Sequence, residues 1–334
     1  MKAFIVKNYG KKEKLHLTDW AEPTLNNNDV LVQVHSAGVN SLDLLIKNGE
    51  FKLFLPYKPP FVNGHDVAGV ITKIGSDVSM FKVGDKVYSR PSDYRIGTFA
   101  EYVAIDENDV ALKPKNLSME EAGSIPLVGL TAWQALIEVG KINRGQKVFI
   151  QAGSGGVGTF AIQLAKYLGA FVATTTSTKN MELVKSLGAD LIIDYKTEDF
   201  ETKLKDYDLV LHSNKDPKTL EKSFRVLKSG GQLISLVGPP TPEFATEIGL
   251  PLYLKLVTKL ISMGAKNKAK KKNISFKFLF MRAEGKQLGQ ITQLIEAGVI
   301  KPVIDKVFPF EQTNEALTYV ETGRSKGKVV VKVK

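Results

Sequence analysis

The stretch IQAGSGGVGTFAIQLAKYLGA, Ile150–Ala170, decides the fold of this chain. Three of its glycines form the pattern GxGxxG, which alone is a weak signal because glycine is common. The apolar run KVFI comes directly before the glycines and predicts a buried strand. After them, apolar residues recur at helical spacing, at Val157, Ala161, Leu164, Ala165 and Leu168. The segment therefore predicts a strand, a tight turn and a helix.

Each glycine has an expected task in such a unit. We expect Gly153 to allow the tight turn, Gly155 to let the backbone approach a pyrophosphate, and Gly158 to let helix and strand pack closely. The first helical turn would present free N–H groups to the phosphates. The alternative is a structural turn that binds nothing.

The next apolar run, AFVATTTSTKN, indicates which dinucleotide would bind. NAD sites commonly carry Asp or Glu about 20 residues further on, at the end of the second strand. No carboxylate lies between Ala170 and Asn180. Ser177, Lys179 and Asn180 instead offer donors that suit a phosphate dianion. We therefore expect NADPH, the alternative being that Lys179 is an ordinary lysine and the site does not discriminate.

Strands alternate with helical segments after about Leu117, which is the pattern of a parallel sheet covered by helices on both faces. Ser118 and Glu121 fit a capping box at the start of this region. The two ends of the chain read instead as short strands punctuated by glycine and proline. We predict an α/β chain in which a doubly wound parallel sheet domain, 122–301, is inserted in a β-rich domain formed by 1–121 and 302–334.

Composition sets further bounds on the function. The 334 residues include no cysteine, which removes disulfides, thiolate nucleophiles and cysteine-ligated zinc. The N-terminal apolar run is too short for a signal peptide, and no stretch is long enough to span a bilayer. We predict a cytoplasmic protein and expect no membrane partner.

The net charge of +11 is densest in AKNKAKKKN, residues 265–273. Lys266 to Lys272 are interpreted as a solvated lysine-rich face or loop, because the run lacks interleaved aromatic residues and any nucleic-acid motif. Nucleic acid is therefore an unlikely partner. The second interpretation is a basic mouth that attracts a phosphate-rich cofactor.

The motifs GVNSLD, GHDVAG, GDKVYS, GTFAEY, EEAGSIPLVGLTAWQAL, AGSGGVGTFAIQLAK, VLKSGGQLISLVG and TGRSKGKVVVKV follow in this order. They resemble the medium-chain dehydrogenase/reductase superfamily, and more narrowly its zinc-free quinone oxidoreductase and enone reductase branch, over nearly the whole chain. The resemblance implies a GroES-like catalytic domain made from both chain ends and a central Rossmann domain. It also implies an active site in the cleft between them and a homodimer formed through the Rossmann sheets.

The same comparison of motifs addresses zinc. In zinc-dependent relatives, cysteines stand where this chain has Asn40 and Val128, and His65 matches a ligand histidine. One imidazole cannot hold a catalytic zinc, which needs three protein ligands. We expect no metal and interpret His65 as a hydrogen-bonded residue. Asp43 and Asp66 are interpreted as structural or cofactor-positioning residues.

By resemblance, Asn40 and Thr131 would position the nicotinamide end of the cofactor. Thr131 has the alternative of bonding to its own helix backbone, and Tyr195 that of a capping aromatic on the surface. The implied cofactor contacts come from the glycine loop, from the ends of the next strands and from the C-terminal segment: Gly153, Ser154, Gly155, Gly156, Val157, Gly158, Ser177, Lys179, Asn180, Tyr195, Gly327 and Lys328.

Two departures from the family pattern matter. Phe51 stands where many relatives carry a tyrosine, and Leu45 lies where some enone reductases carry a lysine, so we assign no general acid. Substitute donors would be Tyr57, Tyr94 and Arg95. His212 stands where relatives commonly carry Asp, either near the cofactor ribose or as a surface substitution.

Without a Lewis acid, hydride transfer needs an acceptor that is already electron-poor. We therefore predict an NADPH-dependent oxidoreductase that reduces a quinone or the double bond of an α,β-unsaturated carbonyl. The alternatives are an acyl-thioester enoyl reductase and a non-catalytic dinucleotide- or RNA-binding relative.

Three phenylalanines alternate as on a strand, at Phe276, Phe278 and Phe280. They are expected to line either a substrate pocket or a sheet core and dimer edge.

Overall fold

The computed structural model describes residues 1–55 and 57–334. Their contacts form two units, Met1–Leu130 together with Arg282–Lys334, and Thr131–Met281. The first unit thus includes residues 122–130 and 282–301, which the sequence analysis assigned to the inserted domain. Residues 282–301 belong to the first unit partly because of Tyr88. This residue is fully buried, and its hydroxyl donates to the Leu288 carbonyl at 2.7 Å.

The first unit is built on two sheets whose strands pair antiparallel, except for the parallel pair β15 and β16. One sheet has the order β2-β1-β4, and the other has the order β15-β16-β3-β5-β6-β8 with β7 paired to β3. Numbered in chain order, its strands are β1 Lys2–Val6, β2 His16–Asp19, β3 Asp29–Val39, β4 Phe61–Val62, β5 Val67–Ile74, β6 Lys86–Ser89, β7 Tyr102–Asp106, β8 Val110–Leu112, β15 Ile304–Pro309 and β16 Lys328–Lys332. Its helices are α1 Ser41–Lys47, α2 Met119–Gly123, α3 Pro126–Trp133, which ends in the second unit, α10 Gly285–Glu296 and α11 Thr313–Glu321.

The second unit is a parallel sheet with the order β11-β10-β9-β12-β13-β14. In chain order this is 3-2-1-4-5-6, the order of a doubly wound dinucleotide-binding domain, and the chain reverses direction across the sheet between β9 and β12. The strands are β9 Lys147–Ile150, β10 Phe171–Thr176, β11 Leu191–Asp194, β12 Tyr207–His212, β13 Leu227–Ser235 and β14 Ser275–Phe278. The helices are α4 Gly156–Tyr167, α5 Met181–Ser186, α6 Phe200–Lys203, α7 Pro217–Val226, α8 Pro242–Glu247 and α9 Leu252–Lys271. The predicted fold class is confirmed.

Local predictions can be compared with these elements. The capping box is present, since Ser118 Oγ accepts the Glu121 N–H at 3.1 Å and Glu121 Oε2 accepts the Ser118 N–H at 2.8 Å. The lysine run is the last part of α9 and the residues just after it. None of the helices in the described part of the chain is long and apolar enough to cross a membrane.

The alternating phenylalanines pack against helices of their own unit. The Phe276 ring lies 5.9 Å from Phe224 on α7, and the Phe278 and Phe280 rings lie 5.1 and 5.4 Å from Phe244 on α8. This packing supports the interpretation of the three phenylalanines as part of a sheet core over their interpretation as the lining of a substrate pocket.

Candidate functional site

The glycine loop between β9 and α4 contains a turn whose left-handed residue is Ala152, with φ +53°, while Gly153 lies outside that region. Gly153 is needed for a different reason, because a Cβ there would lie 2.1 Å from Thr174 Oγ1 on β10. Gly153 therefore allows the turn through its missing Cβ, and not through a positive φ. Lack of room beside β10 selects glycine at this position.

Gly158 allows the first turn of α4 to approach the loop. A Cβ at Gly158 would lie 2.3 Å from the Ala152 carbonyl oxygen and 2.7 Å from Gly153 Cα. Gly155 is the N-cap of α4 and makes no side-chain cap hydrogen bond. The first-turn N–H groups are therefore not capped by that residue, and the positive end of the helix dipole favours an anion there.

Two of the predicted cofactor residues meet at the end of β10. Ser154 Oγ accepts hydrogen bonds from Thr176 Oγ1 at 3.0 Å and from Asn180 Nδ2 at 3.1 Å. Asn180 Oδ1 is buried and has no hydrogen-bond partner among the described residues. A buried acceptor without a donor is costly, so this atom suits a bound hydroxyl such as that of a ribose.

The other predicted phosphate contacts differ in exposure. Ser177 is buried, Lys179 is exposed, and Tyr195 is 62% exposed. The Tyr195 N–H donates to the Thr176 carbonyl at 3.1 Å, so the ends of β10 and β11 lie together. Lys179 is thus free to reach an exposed phosphate, as the sequence analysis expected of it.

Asp194, at the end of β11, is a buried carboxylate that the sequence analysis missed because it lies beyond the span searched for an acidic residue. Its Oδ2 accepts from Thr178 Oγ1 and its Oδ1 accepts the Lys196 N–H at 3.0 Å. The hydrogen bond from Thr178, followed by that from Lys196, lowers the pKa of Asp194. Both carboxylate oxygens are therefore engaged by the protein.

His212 ends β12, next to the point where the sheet order reverses, and is 2% exposed. The interpretation as a surface substitution is therefore wrong. Its Nδ1 lies 2.8 Å from Ser235 Oγ, which also accepts the Gly238 N–H at 2.7 Å. Which of the two groups donates depends on the imidazole tautomer, since the hydroxyl can donate to Nδ1 or accept a hydrogen bond from it. Burial lowers the pKa of His212 to about 4, and Nε2 has no partner among the described residues.

These features of the second unit fit a nicotinamide dinucleotide. The crevice at the carboxyl ends of the strands, beside the order reversal, is where such sheets bind their ligands. It presents an uncapped helix end for the pyrophosphate and an unpartnered acceptor at Asn180 for a hydroxyl.

The first unit holds a buried polar cluster around Asn40, the N-cap of α1. Asn40 Nδ2 donates to Asp66 Oδ2 at 2.9 Å, and Lys328 Nζ donates to the same carboxylate oxygen at 3.0 Å. Lys328 Nζ also donates to Asn40 Oδ1 and to the Val39 carbonyl at 3.2 Å. The three N–H donors of the ammonium are therefore matched by three protein acceptors.

Asp66 also connects this cluster to α3. Its Oδ1 accepts the Leu127 N–H, in the first turn of α3, at 2.6 Å, which places a negative charge at the positive helix end. A Cβ at Gly38 would lie 2.7 Å from Asp66 Oδ2, so only glycine leaves room for the carboxylate. Thr131, the second predicted positioning residue, is buried on the same helix.

Gly327 lies directly before β16 and Lys328 begins it, and the structure places a constraint on each. Gly327 has φ +73°, and a Cβ there would lie 2.1 Å from the Val303 carbonyl oxygen. The Lys328 ammonium is held inside the first unit as described above. Contact of either residue with a cofactor stays a prediction.

His65 and Asp43 form a second buried pair, with His65 Nδ1 2.5 Å from Asp43 Oδ1 and both side chains fully buried. The other carboxylate oxygen, Asp43 Oδ2, accepts the Asn40 N–H at 2.7 Å. The interpretation of His65 as a hydrogen-bonded residue agrees with this geometry. Its Nε2 has no partner among the described residues.

A zinc ion does not fit these side chains. Within residues 1–55 and 57–334, no three His, Cys, Asp or Glu side chains are grouped as metal ligands. At the two cysteine positions of zinc-dependent relatives, Asn40 is bonded to the Lys328 ammonium and Val128 is an apolar core residue. The ammonium would repel a divalent cation.

The substitute proton donors are engaged elsewhere or exposed. Tyr57 Oη donates to the Asp93 carbonyl, and burial raises its pKa. Arg95 makes a bidentate ion pair with Asp29 at 2.5 and 2.6 Å. Tyr94 is 67% exposed. No general acid emerges from this set.

Comparison with known proteins adds independent evidence. Residues 26–115 match the alcohol dehydrogenase GroES-like domain, and residues 187–331 match the family described as zinc-binding dehydrogenase. The human NAD(P)H oxidoreductase RTN4IP1, mitochondrial, is 36% identical over 100% of this chain and 89% of its own length. The chloroplastic NADPH-dependent alkenal/one oxidoreductase of Arabidopsis thaliana is 34% identical over 99% and 79%. The quinone oxidoreductase structure from Coxiella burnetii superposes with TM-score 0.87 at 30% identity, over 100% and 99% of the two chains.

The chain belongs to the medium-chain dehydrogenase/reductase superfamily. The predicted family and the GroES-like and Rossmann domain types are thereby confirmed. The predicted enzyme class, an oxidoreductase that uses a nicotinamide cofactor, is confirmed at that level. One of the two matching families is described as zinc-binding, but Asn40 and Val128 of this chain cannot serve as the cysteine ligands of a zinc ion.

Sequence reasoning identified most of these residues but not how they are joined. Lys328 and Asp66 are 262 positions apart, and no local pattern links them. The contact arises from the antiparallel pairing of Val329 with Val39, which brings Lys328 beside Asn40. It could have been found only by predicting that strand register. The His212 and Ser235 pair similarly follows from the register of two neighbouring strands.

Proposed function

We propose that this protein is a zinc-independent, NADPH-dependent reductase of quinones or of the double bonds of α,β-unsaturated carbonyls. The observation that carries the proposal is the donor set, in which a buried lysine ammonium and an amide occupy the place of a metal centre. Without a Lewis acid, the acceptor carbon must already be electron-poor. Relatives named as an NADPH-dependent alkenal/one oxidoreductase and a quinone oxidoreductase support this substrate class.

In this proposal the second unit holds the cofactor. The N-terminal turn of α4 binds the pyrophosphate, and Asn180 Oδ1 accepts a ribose hydroxyl. Lys179, with Ser177 and Tyr195 nearby, binds the adenosine phosphate and gives the preference for NADPH. When bound, the cofactor supplies the hydride.

The buried cluster of the first unit is proposed to position the nicotinamide through Asn40. Its amide is fixed by Lys328 and Asp66, so it pays little conformational entropy when it contacts a ligand. Asp66 also fixes the start of α3, the helix that carries Thr131. The proton that completes the reduction is assigned to water, because the nearby tyrosine and arginine donors are engaged elsewhere.

Turnover measurements test this function. Purified protein is treated with a chelator, and the loss of reduced-nicotinamide absorbance is followed with NADPH or NADH, against a simple quinone and an acyclic enone. The proposal expects chelator-resistant turnover that is faster with NADPH, and the better substrate decides between the two substrate classes. Cofactor binding without turnover on either substrate would refute it.

The assembly and the location are proposed separately from the activity. We propose a homodimer formed through β14, which ends the parallel sheet and so offers an edge for pairing. Light scattering after gel filtration would test this. A cytoplasmic location stays a proposal, whereas the human RTN4IP1 and the Arabidopsis thaliana relative are named as mitochondrial and chloroplastic; cell fractionation would decide.

A further inference from the structure

Helix α9 turns its apolar face away from its own unit. The side that packs inward carries mostly small or polar residues, Leu254, Thr258, Ser262 and Ala269. Thr258 Oγ1 and Ser262 Oγ donate to carbonyls of the same helix, at Lys255 and Thr258, so their hydroxyls need no partner in the core. A surface helix normally has the opposite arrangement, with its large apolar residues inside.

The outward side of α9 carries large apolar side chains that are each about half exposed or more: Leu252 74%, Tyr253 65%, Leu256 54%, Val257 43%, Leu260 68%, Ile261 50% and Met263 53%. Residues four apart lie above one another on a helix, so 252, 256 and 260 form one row and 253, 257 and 261 form the next. The two rows make one continuous apolar face. Contiguous faces of this kind mark interaction sites.

Lysines lie along one flank of this face and at its C-terminal end, and α9 contains no acidic residue. Lys255 and Lys259 lie between the apolar rows and the buried side, and four further lysines fill the last turns and the C-cap, Lys268, Lys270, Lys271 and Lys272. Lys266 pairs with Glu243 at 2.5 Å and Lys268 pairs with Glu221 at 3.2 Å. Lys272 Nζ donates to the Phe224 carbonyl at 3.4 Å. Lys259, Lys270 and Lys271 are exposed.

This combination favours one kind of partner. An interface between two copies related by a two-fold axis brings the same patch together, and α9 offers no carboxylates to match the lysines of a second copy. Nucleic acid would match the lysines, and Tyr253 could stack on a base, but the other five residues of the two rows are leucine, isoleucine or valine and offer a base nothing to pair or stack with. A membrane surface that carries anionic head groups matches both, with the apolar face at the acyl boundary and the lysines against the phosphates.

We propose that α9 docks this protein on anionic lipid bilayers, lying in the plane of the head groups. This departs from the expectation of no membrane partner, which considered only spanning segments and a signal peptide. Docking does not depend on the proposed reductase activity, so a protein that binds vesicles without turnover, or turns over without binding vesicles, would refute only one of the two proposals.

Co-sedimentation with vesicles tests the proposal. The full-length protein is mixed with phosphatidylcholine vesicles, with or without phosphatidylglycerol, and the bound fraction is measured. Leu256→Glu/Leu260→Glu removes the apolar face, and Met80→Glu/Val83→Glu is its matched control, with the same charge change at residues of similar exposure, 53% and 57%. Lys259→Gln/Lys270→Gln/Lys271→Gln removes charge without adding any polar group to the apolar rows.

We expect the natural protein and the control to bind anionic vesicles and to be released by salt. The leucine variant should lose binding, and the lysine variant should bind on the order of a hundredfold more weakly. Soluble turnover should be unchanged in every variant, which separates docking from catalysis. Failure of the natural protein to bind would overturn the proposal, as would equal binding of the lysine variant and the natural protein to anionic vesicles. A smaller oligomer for the leucine variant without lipid would assign the face to a second copy and also overturn it.

Discussion

The Lys328 ammonium lies 3.0 Å from Asp66 Oδ2, and both side chains are almost completely buried. This ion pair joins β16, near the C-terminus, to the start of β5. Because the same carboxylate group also accepts hydrogen bonds from Asn40 and Leu127, one buried charge holds together four segments of the first unit.

Removal of the ammonium should destabilise the protein strongly. Lys328→Met leaves the Asp66 carboxylate buried without a counter-ion, so we expect the free energy of unfolding to fall by about 3–5 kcal/mol. Urea denaturation measures this, with the exposed Lys326→Met as the matched control. Adding Asp66→Asn to Lys328→Met should recover part of the loss. A loss below 1 kcal/mol for Lys328→Met would show that the pair contributes little.

The glycine loop gives a second prediction. In Gly158→Ala the new methyl group would meet the Ala152 carbonyl oxygen at 2.3 Å, so the loop must shift. We expect a loss of about 1–3 kcal/mol in unfolding free energy and weaker cofactor binding by fluorescence titration. The control is Gly289→Ala in α10, where a Cβ would meet no described residue beyond the adjacent helix backbone within 4 Å and alanine should stabilise by about 0.5–1 kcal/mol. Equal effects at the two positions would contradict the packing argument.

His212 predicts a pH dependence of stability. Burial lowers its pKa to about 4, below the ordinary value of 6.5, so the unfolded state binds the proton more tightly. The stabilisation is therefore present above pH 6.5 and is lost as the pH falls toward 4. Between pH 7 and 5 the natural protein should lose about 2 kcal/mol relative to His212→Gln.

Urea denaturation of both proteins at the two pH values measures that difference. Burial also raises the pKa of Asp109 to about 6, which acts in the opposite direction, but this contribution is common to both proteins and cancels. A difference between the proteins that does not change with pH would show that His212 titrates normally.

Lys179 gives a prediction about the cofactor. If its exposed ammonium binds the adenosine phosphate, Lys179→Gln should raise the Kd for NADPH about fivefold, since an exposed ion pair contributes about 1 kcal/mol. The Kd for NADH should be unchanged. Lys185→Gln, an exposed lysine on α5, is the control. Equal weakening of both cofactors would place Lys179 away from the phosphate.

Much of the fold was predictable because its signals are local. The strand, glycine turn and helix around Gly153 predict the Rossmann unit, and Ser118 with Glu121 predicts a helix start within one residue. The reason for Gly153 was not predictable. Its contact is with Thr174 on a neighbouring strand, and sequence spacing carries no information about that distance.

The site was less predictable, because its decisive contacts join distant segments. Asn40 was identified from a motif, but its bonds to Asp66 and Lys328 depend on strand register. The exposed apolar face of α9 was also missed. A helical stripe of leucines predicts burial on average, and only the packing of Thr258 and Ser262 shows that this helix is turned outward.

The central claim is hydride transfer to an electron-poor carbon without a metal, and isotope transfer tests it most directly. Chelator-treated protein is incubated with NADPH that carries deuterium at both C4 positions and with an acyclic enone, and the product is analysed by mass spectrometry and NMR. We predict a single deuterium on the carbon β to the carbonyl. Reduction without deuterium at that carbon, or turnover that stops with the chelator and returns with zinc, would contradict the claim.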